Sequence, residues 1–403
     1  MSIELLHTGD SHVDVGTHGI LNPKTGFSTA WESNTLALAS AVQEAIDRDV
    51  AAFLHCGDAF KDGRPSQEAL LMFAEALRPL IAACIPIVMV DGNHERISVP
   101  TSHRTATAAV GAILDGSGGE IHVVDREPRL VRTGTGLQVA CLPWLSKSTV
   151  LATLGIEQAD PQHGDRVVAQ YAVECLEAMA AEADTTAPFV IASHVTVDDV
   201  RVDSVAKGQR RGSEMDIAHL FAEPILPRAA IEETGASYAA LSHIHARQRI
   251  GKVCYYAGSP NRLTFTDADD DKSANLVTLG DDNTLESVTY LPTEARAMHS
   301  IALADDDAED RIGALTNGAL VRVVLPPGVA LVPESVRTDI LTAGALLVDT
   351  QVTPLDRPRI TTTALPEKID PAAAFEAWLA ERHPDLDSTP VMTAAAKLLE
   401  VAK

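Results

Sequence analysis

The sequence predicts an α/β layered fold, with sheets at its centre and helices outside, and three observations carry that prediction. From residue 1 to about 295, apolar strand-like runs alternate with stretches of helical periodicity. Five of the strand-like runs end in side chains able to ligate a metal. Ligands and catalytic groups collect at the carboxyl ends of strands in layered α/β folds, so five such ends describe one site rather than five accidents.

Taken in order, Ile3-Glu4-Leu5-Leu6 runs into Asp10-Ser11-His12, and a helix is expected over Asn34–Asp47. Ala52-Phe53-Leu54 leads to Gly57-Asp58, followed by a helix over Ser66–Ala83. Ile87-Val88-Met89-Val90 leads to Gly92-Asn93-His94-Glu95, and helices are expected over Ser102–Leu114 and Asp165–Ala183, each bounded by polar capping residues. Phe189-Val190-Ile191-Ala192 leads to His194. Tyr238-Ala239-Ala240-Leu241 leads to His243-Ile244-His245. Between them the chain is polar and loop-rich, with one basic cluster at Lys207–Gly212. Short strand patterns follow at Val253–Tyr256, Asn275–Leu279 and Glu286–Tyr290, separated by turn signals such as Gly258-Ser259-Pro260-Asn261.

Around Pro292–Arg296 the ligand-bearing pattern stops. His299–Leu303, Asp307–Leu315, Leu320–Leu325, Pro333–Ala343 and Leu346–Val352 then read strand, helix, strand, helix, strand, a small α+β unit without obvious catalytic residues. Helices are expected over Pro371–Arg382 and Pro390–Ala402, each opened by a proline suited to a first turn. The expected division is 1–295, 296–363 and 364–403. The acidic runs Asp267–Asp271 and Asp305–Asp307 read as solvated loops.

A length of 403 residues exceeds what one hydrophobic core usually supports, and 46% hydrophobic with 22% charged residues is ordinary for a soluble globular protein. The longest apolar stretch, Leu80–Val90, is interrupted by Pro86 and falls far short of the ~20 residues of a membrane span. A first strand beginning at Ile3 is expected to leave no room for a signal peptide. The five cysteines (Cys56, Cys84, Cys141, Cys175, Cys254) are dispersed and form no C-x-x-C pair, so buried thiols in the cytoplasm are expected. A net charge of −24, from 56 acidic and 32 basic residues, counts against a general polyanion-binding surface. It leaves room for an enzyme whose metals and a few loops meet phosphates locally.

The side chains at the strand ends suit a binuclear metal centre. Two divalent ions ~3.5–4 Å apart can clamp the attacking and leaving oxygens of an in-line phosphoryl displacement. Asp58, in a tight glycine turn after a buried strand, suits the bridging carboxylate. Asp10 and His12 can both reach one ion, Asn93 offers a carbonyl oxygen to the other, and His194 and His243 offer imidazoles. His243 and His245 share a face if the strand is extended, so one can serve each ion. Two dications against two carboxylates and a bridging hydroxide leave a net charge of about +1 to receive an anionic phosphodiester. His94 is spare and could donate to the leaving oxygen. Mixed oxygen and nitrogen donors fit Mn, Fe or Zn better than Mg or Ca. His7, His55, His103 and His122 read as buried histidines that satisfy core hydrogen bonds rather than bind metal.

In order and residue type these motifs resemble the calcineurin-like metallophosphoesterase superfamily. The finer match is to its DNA-nuclease branch, the SbcD family, on Gly57-Asp58-Ala59-Phe60, Ser242-His243-Ile244-His245-Ala246-Arg247-Gln248 and Tyr256-Ala257-Gly258-Ser259-Pro260-Asn261-Arg262-Leu263-Thr264-Phe265. The resemblance implies a layered β-sandwich core flanked by helices over 1–295, and a small capping domain over 296–363. It also implies a C-terminal helical pair over 364–403 that binds an SbcC-like ATPase. It places Asp10, His12, Asp58 and His245 on a first metal, and Asp58, Asn93, His194 and His243 on a second, with His94 catalytic. The implied cofactors are two divalent ions, Mn²⁺ being expected. The implied activity is exonucleolytic and endonucleolytic DNA cleavage by a binuclear-metal hydroxide, and the implied assembly is a homodimer within a heterotetramer.

Three positions depart from the pattern. Glu95 stands where the nuclease branch more usually has Asp, and Gly-Asn-His-Glu also occurs in phosphoprotein phosphatases. Lys61 stands where members often carry His or Asp. Ser242 replaces the common Gly, a small-for-small change expected to be harmless.

A chain with no Gly-x-x-x-x-Gly-Lys-Ser/Thr loop is not itself the ATPase. The competing readings are a phosphatase or phosphodiesterase acting on small molecules or phosphoproteins, and an inactive scaffold. Gly57-Asp58-Ala59-Phe60-Lys61-Asp62-Gly63 lacks the Gly-Asp-x-x-Asp-Arg-Gly of the phosphoprotein phosphatases, and no ligand is missing.

Overall fold

The computed structural model describes residues 2–95, 105–115, 118–157, 161–200, 223–353 and 391. The chain through Thr353 forms one compact unit. It opens with β1 (Ile3–Thr8), α1 (Thr29–Asp47), β2 (Ala52–His55), α2 (Gln67–Ala82), β3 (Ile87–Val90), α3 (Ala106–Asp115) and β4 (Ile121–Val124). Next come β5 (Arg129–Arg132), β6 (Gln138–Leu142), α4 (Lys147–Leu154), α5 (Pro161–Glu182), β7 (Phe189–His194), β8 (Thr196–Val197), β9 (Ile225–Leu226), α6 (Arg228–Glu233) and β10 (Tyr238–Ser242). β11 (Gln248–Ile250), β12 (Cys254–Tyr256), β13 (Ser273–Leu279) and β14 (Leu285–Pro292) complete this part. A last stretch holds β15 (Met298–Ala302), α7 (Ala308–Gly313), β16 (Leu320–Leu325), α8 (Glu334–Thr342) and β17 (Leu346–Val352).

Two six-stranded sheets, β14-β13-β1-β2-β3-β4 and β11-β12-β10-β7-β6-β5, stack on each other. In the first, β1 to β4 run parallel and β13 and β14 extend it antiparallel. In the second, β6, β7, β10 and β12 run parallel, with β5 and β11 antiparallel at its edges. The central strands β2, β3, β6, β7 and β10 are buried on both faces, so the two-residue period sorts side chains into separate cores. Leu5, Leu54, Val88 and Val90 of one sheet meet Val139, Val190, Ala192 and Ala240 of the other in a layer between the sheets. Their neighbours Leu6, Phe53 and Met89 face outward onto Leu38 and Val42 of α1 and Phe73 and Leu77 of α2. On the opposite side Ile191, Ala239 and Leu241 pack on Val168, Ala172 and Leu176 of α5. The layering is helix, sheet, sheet, helix. Full burial of such aliphatic side chains stabilises by ~1.5–3 kcal/mol each.

β15, β16 and β17 form a separate, wholly parallel sheet with its own core of Ile301, Ile312, Val321, Val323 and Ile340. Parallel neighbours need crossovers, and α7 and α8 supply them.

Helix α2 starts where expected, with the Ser66 hydroxyl accepting from Ala69 N. Helix α1 starts at Thr29 rather than Asn34, because Ser28 is the cap and accepts from Ala30 N. Helix α5 begins at Pro161 instead of Asp165. The beginning of the helix expected over Ser102–Leu114, the Lys207–Gly212 cluster and the C-terminal helices over Pro371–Arg382 and Pro390–Ala402 lie outside the described residues, Val391 excepted. All five cysteines are free; Cys56, Cys141 and Cys254 are buried, but Cys84 is exposed, since it sits in the turn that ends α2 rather than in a strand. Among the described residues no helix is long and apolar enough to cross a membrane.

Candidate metal centre

The loops after β1, β2, β3 and β10, with the end of β7, converge at one edge of the two sheets. The first two run side by side: Asp10 N donates to Gly57 O at 2.9 Å, His12 N to Asp58 O at 3.0 Å, and Val13 N to Ala59 O at 2.9 Å. This pairing is achieved with backbone that ordinary residues avoid. Asp10 (φ 50°), His12 (φ 39°), Asp58 (φ 53°) and His243 (φ 100°) all lie in the left-handed region. Each such residue costs roughly 1–2 kcal/mol, a strain that persists where surrounding structure over-determines it. Gly57 (φ 97°) has no alternative, since a Cβ there would fall on the His194 imidazole.

Seven candidate ligands and His94 come together here. One donor atom from each of Asp10, His12 and His245 lies within 4.8 Å of the others, and the same holds for Asp58, His194 and His243. Asp58 joins the groups: its Oδ2 is 3.3 Å from His194 Nε2 and 3.6 Å from His12 Nε2. Asn93 Oδ1 lies 3.0 Å from His194 Nε2 and 3.2 Å from His243 Nδ1. The two rings of His243-Ile244-His245 thus go to different groups.

The donor set fits a cation. His194 Nδ1 donates to Cys56 O at 2.8 Å and His12 Nδ1 to Phe60 O at 3.0 Å, so both turn an Nε2 lone pair inward. Lone pairs of His194, Asn93 and Asp58 then face one another with no proton to share, an arrangement that a positive ion relieves. Two adjoining donor groups that meet at Asp58 can accommodate two divalent ions.

Electrostatics point the same way. Burial pushes the His12 imidazole down to about 4 and His245 well below its ordinary value, which keeps both neutral, as metal ligation requires. Burial, then the Asp58 charge, raises Asp10 well above the usual carboxylate range. Burial works against ionised Asp58 too, but positive charge on the neighbouring His194, His12 and His94 rings holds it well below that range, a part that a bound cation would take over. The site gathers buried acids and neutral imidazoles, and cations satisfy both.

His94 stands apart in exposure, at 22% against 7% or less for His12, His194, His243 and His245. Its Nδ1 meets Lys61 O at 2.5 Å, which leaves Nε2 facing the cluster 3.9 Å from Asp58 Oδ2. Its donor atom groups with those of His12 and Asp58 as closely as the ligands do among themselves. The Lys61 contact is made by a backbone carbonyl, so the identity of that side chain is free to vary. Ser242 is fully buried against Gly9, where an added Cβ would meet its hydroxyl.

Among the histidines left aside, His7 bonds Tyr238 Oη at 2.9 Å, His55 bonds Ser11 Oγ at 2.8 Å and His122 bonds Glu120 at 2.7 Å. His103 lies outside the described residues.

Sequence reasoning missed the supporting residues. Glu95 is fully buried and accepts from Asp58 N (3.0 Å), Gly92 N (2.8 Å) and Phe60 N (3.1 Å), so it pins the β2 loop to the β3 loop. Burial, then the charge of Asp58, pushes its carboxyl up to about 7. Asn34 donates to His12 O at 3.0 Å and accepts from Asn261 Nδ2 at 2.7 Å. Lys272, 6% exposed, donates to His245 O at 3.2 Å and Ser259 Oγ at 2.9 Å. Trp144 packs across His243 with ring centroids 5.1 Å apart. Only Glu95 had a signal, its place beside His94.

Glu95→Ala is expected to destabilise the metal-free protein by on the order of 3 kcal/mol, because three buried amides lose one acceptor. Urea denaturation reads this directly, and an unchanged midpoint would mean that the amides find other partners.

The sequence profile of the calcineurin-like phosphoesterase family matches residues 3–247. The chain is 27% identical over 299 residues to the SbcD component of the nuclease SbcCD from Escherichia coli K12, covering 72% of this chain and 68% of that protein. It is 36% identical over 91 residues to the DNA double-strand break repair protein Mre11 of Haloferax volcanii, 23% of this chain and 19% of that one. A dimetal phosphatase structure from Danio rerio aligns over 72% of this chain and 99% of its own at 14% identity and a TM-score of 0.39.

Proposed function

The chain belongs to the calcineurin-like phosphoesterase family and is a metal-dependent phosphoester hydrolase, and from that premise we propose that its substrate is DNA. In this reading it is a Mn²⁺-dependent exonuclease and endonuclease that works in the cytoplasm with an SbcC-like ATPase, as a homodimer within a heterotetramer. Asp10, His12, Asp58 and His245 hold one ion, and Asp58, Asn93, His194 and His243 the other. Residues 1–295 form the nuclease domain, 296–363 the cap and 364–403 the ATPase-binding segment. The similarity to the SbcD component of SbcCD supports the substrate and the partner.

One observation carries the reading furthest. The Gly258–Phe265 run, whose motif resembles the nuclease branch, is wired into the metal centre: Asn261 bonds Asn34, and Asn34 bonds the His12 carbonyl. When bound, two divalent ions supply a nucleophilic oxygen and neutralise charge on the phosphate. The protein's own part is to hold the ligands rigid and to offer His94. With Nδ1 engaged by Lys61 O, a second proton on Nε2 makes His94 a donor to the leaving oxygen.

The test is incubation with blunt linear duplex DNA and Mn²⁺, with and without chelator, alongside bis-para-nitrophenyl phosphate. Chelator-sensitive loss of both substrates is expected. Hydrolysis of the small diester with intact DNA would overturn the nuclease reading and leave a phosphodiesterase.

A further inference from the structure

His243 is held from three directions. Its Nδ1 faces Asn93 Oδ1 at 3.2 Å, its Nε2 lies 3.2 Å from Glu223 Oε1, and Trp144 covers one face. The same Glu223 oxygen accepts from Thr196 Oγ1 at 2.8 Å. His243 is buried, at 5% exposure, and the Glu223 side chain is largely covered, at 13%. The sheet sets this geometry: β8 pairs with β9 in the register Thr196↔Ile225, which brings Glu223, two residues before Ile225, beside the end of β7. One short segment therefore supplies both the ligand His194 and the anchor Thr196.

Resting on the metal-centre reading above, we propose that Glu223 is a positioning residue for His243. Its carboxylate fixes the imidazole tautomer and orientation, and so tightens the cation site built from Asp58, Asn93, His194 and His243. An ionised carboxylate only accepts hydrogen bonds, so Nε2 carries the proton and Nδ1 keeps its lone pair toward Asn93. Without Glu223 the ring is free to take the other tautomer or to turn about its χ2 axis, and either removes the donor. Carboxylates behind ligating histidines typically change metal affinity 10–100-fold.

The experiment is calorimetric titration of the metal-free full chain with Mn²⁺. The unsubstituted chain is expected to bind two ions. Glu223→Ala should weaken one of them by ~10–100-fold and leave the other unchanged, in protein that stays folded without metal. Glu223→Gln should recover most of the loss, because its amide oxygen still accepts. Thr196→Val should weaken the same ion by a smaller factor, and it carries the test if the alanine variant does not fold. Unchanged affinity in Glu223→Ala, equal weakening of both ions, or a Gln variant as weak as Ala would each overturn the positioning role. An unsubstituted chain that binds fewer than two ions would overturn the binuclear reading and the role of Glu223 with it.

Discussion

Asp58→Ala is expected to abolish metal-dependent phosphodiester hydrolysis, with turnover down by at least ~10³-fold. Among the described residues no other side chain is as central. Its Oδ2 lies 3.3 Å from His194 Nε2, 3.6 Å from His12 Nε2 and 3.9 Å from His94 Nε2, so it is the contact through which both groups are joined. In the proposed assignment two ions would lose the protein ligand they share, which offsets their mutual repulsion. His243→Ala should match this loss, since it removes a ligand of one group and the backbone position that donates to both Asp10 oxygens at 3.0 Å is relaxed as well. Hydrolysis of bis-para-nitrophenyl phosphate, read together with metal stoichiometry, checks both variants. Near-normal rates with a full complement of metal would sink the binuclear assignment.

His94→Ala is expected to leave metal binding within a few-fold while turnover falls by ~10²–10⁴-fold, the usual contribution of one proton donor. Its 22% exposure and the Lys61 carbonyl behind it suit a group that meets substrate. Its closeness to His12 and Asp58 is equally compatible with ligation, which makes Asn93→Ala the necessary comparison. Should His94→Ala lose metal to the same degree as Asn93→Ala, His94 is a ligand and its proposed role is wrong.

The parts of the fold legible in the sequence were those where burial leaves a pattern. Leu5-Leu6, Phe53-Leu54 and Val88-Met89 are apolar on both faces because helices cover one side and a second sheet the other, and such runs announce themselves. Each ends in Asp, Asn or His, which made the site visible too. β4, at the edge of its sheet and only partly buried, left no comparable run. Asn34 misled the reading of α1 for a physical reason: Asn is a favoured cap, but this one is 3% exposed inside the helix and serves His12 and Asn261. Glu223 had no signal at all. It precedes a two-residue strand, and its meaning exists only once β8 and β9 are paired.

The left-handed backbone at Asp10, His12, Asp58 and His243 has an implication for mutational tolerance. At these places the polypeptide geometry favours glycine, whereas the chemistry demands a side chain. Glycine there would release the backbone strain while removing a side chain that hydrolysis needs, so folded abundance and catalytic competence would respond differently to the same substitution. A mutational map scored for folded protein would pass over the centre of the site. Subtracting it from a map scored for hydrolysis would outline that centre, residue by residue, as the places where the protein holds a conformation it would otherwise give up.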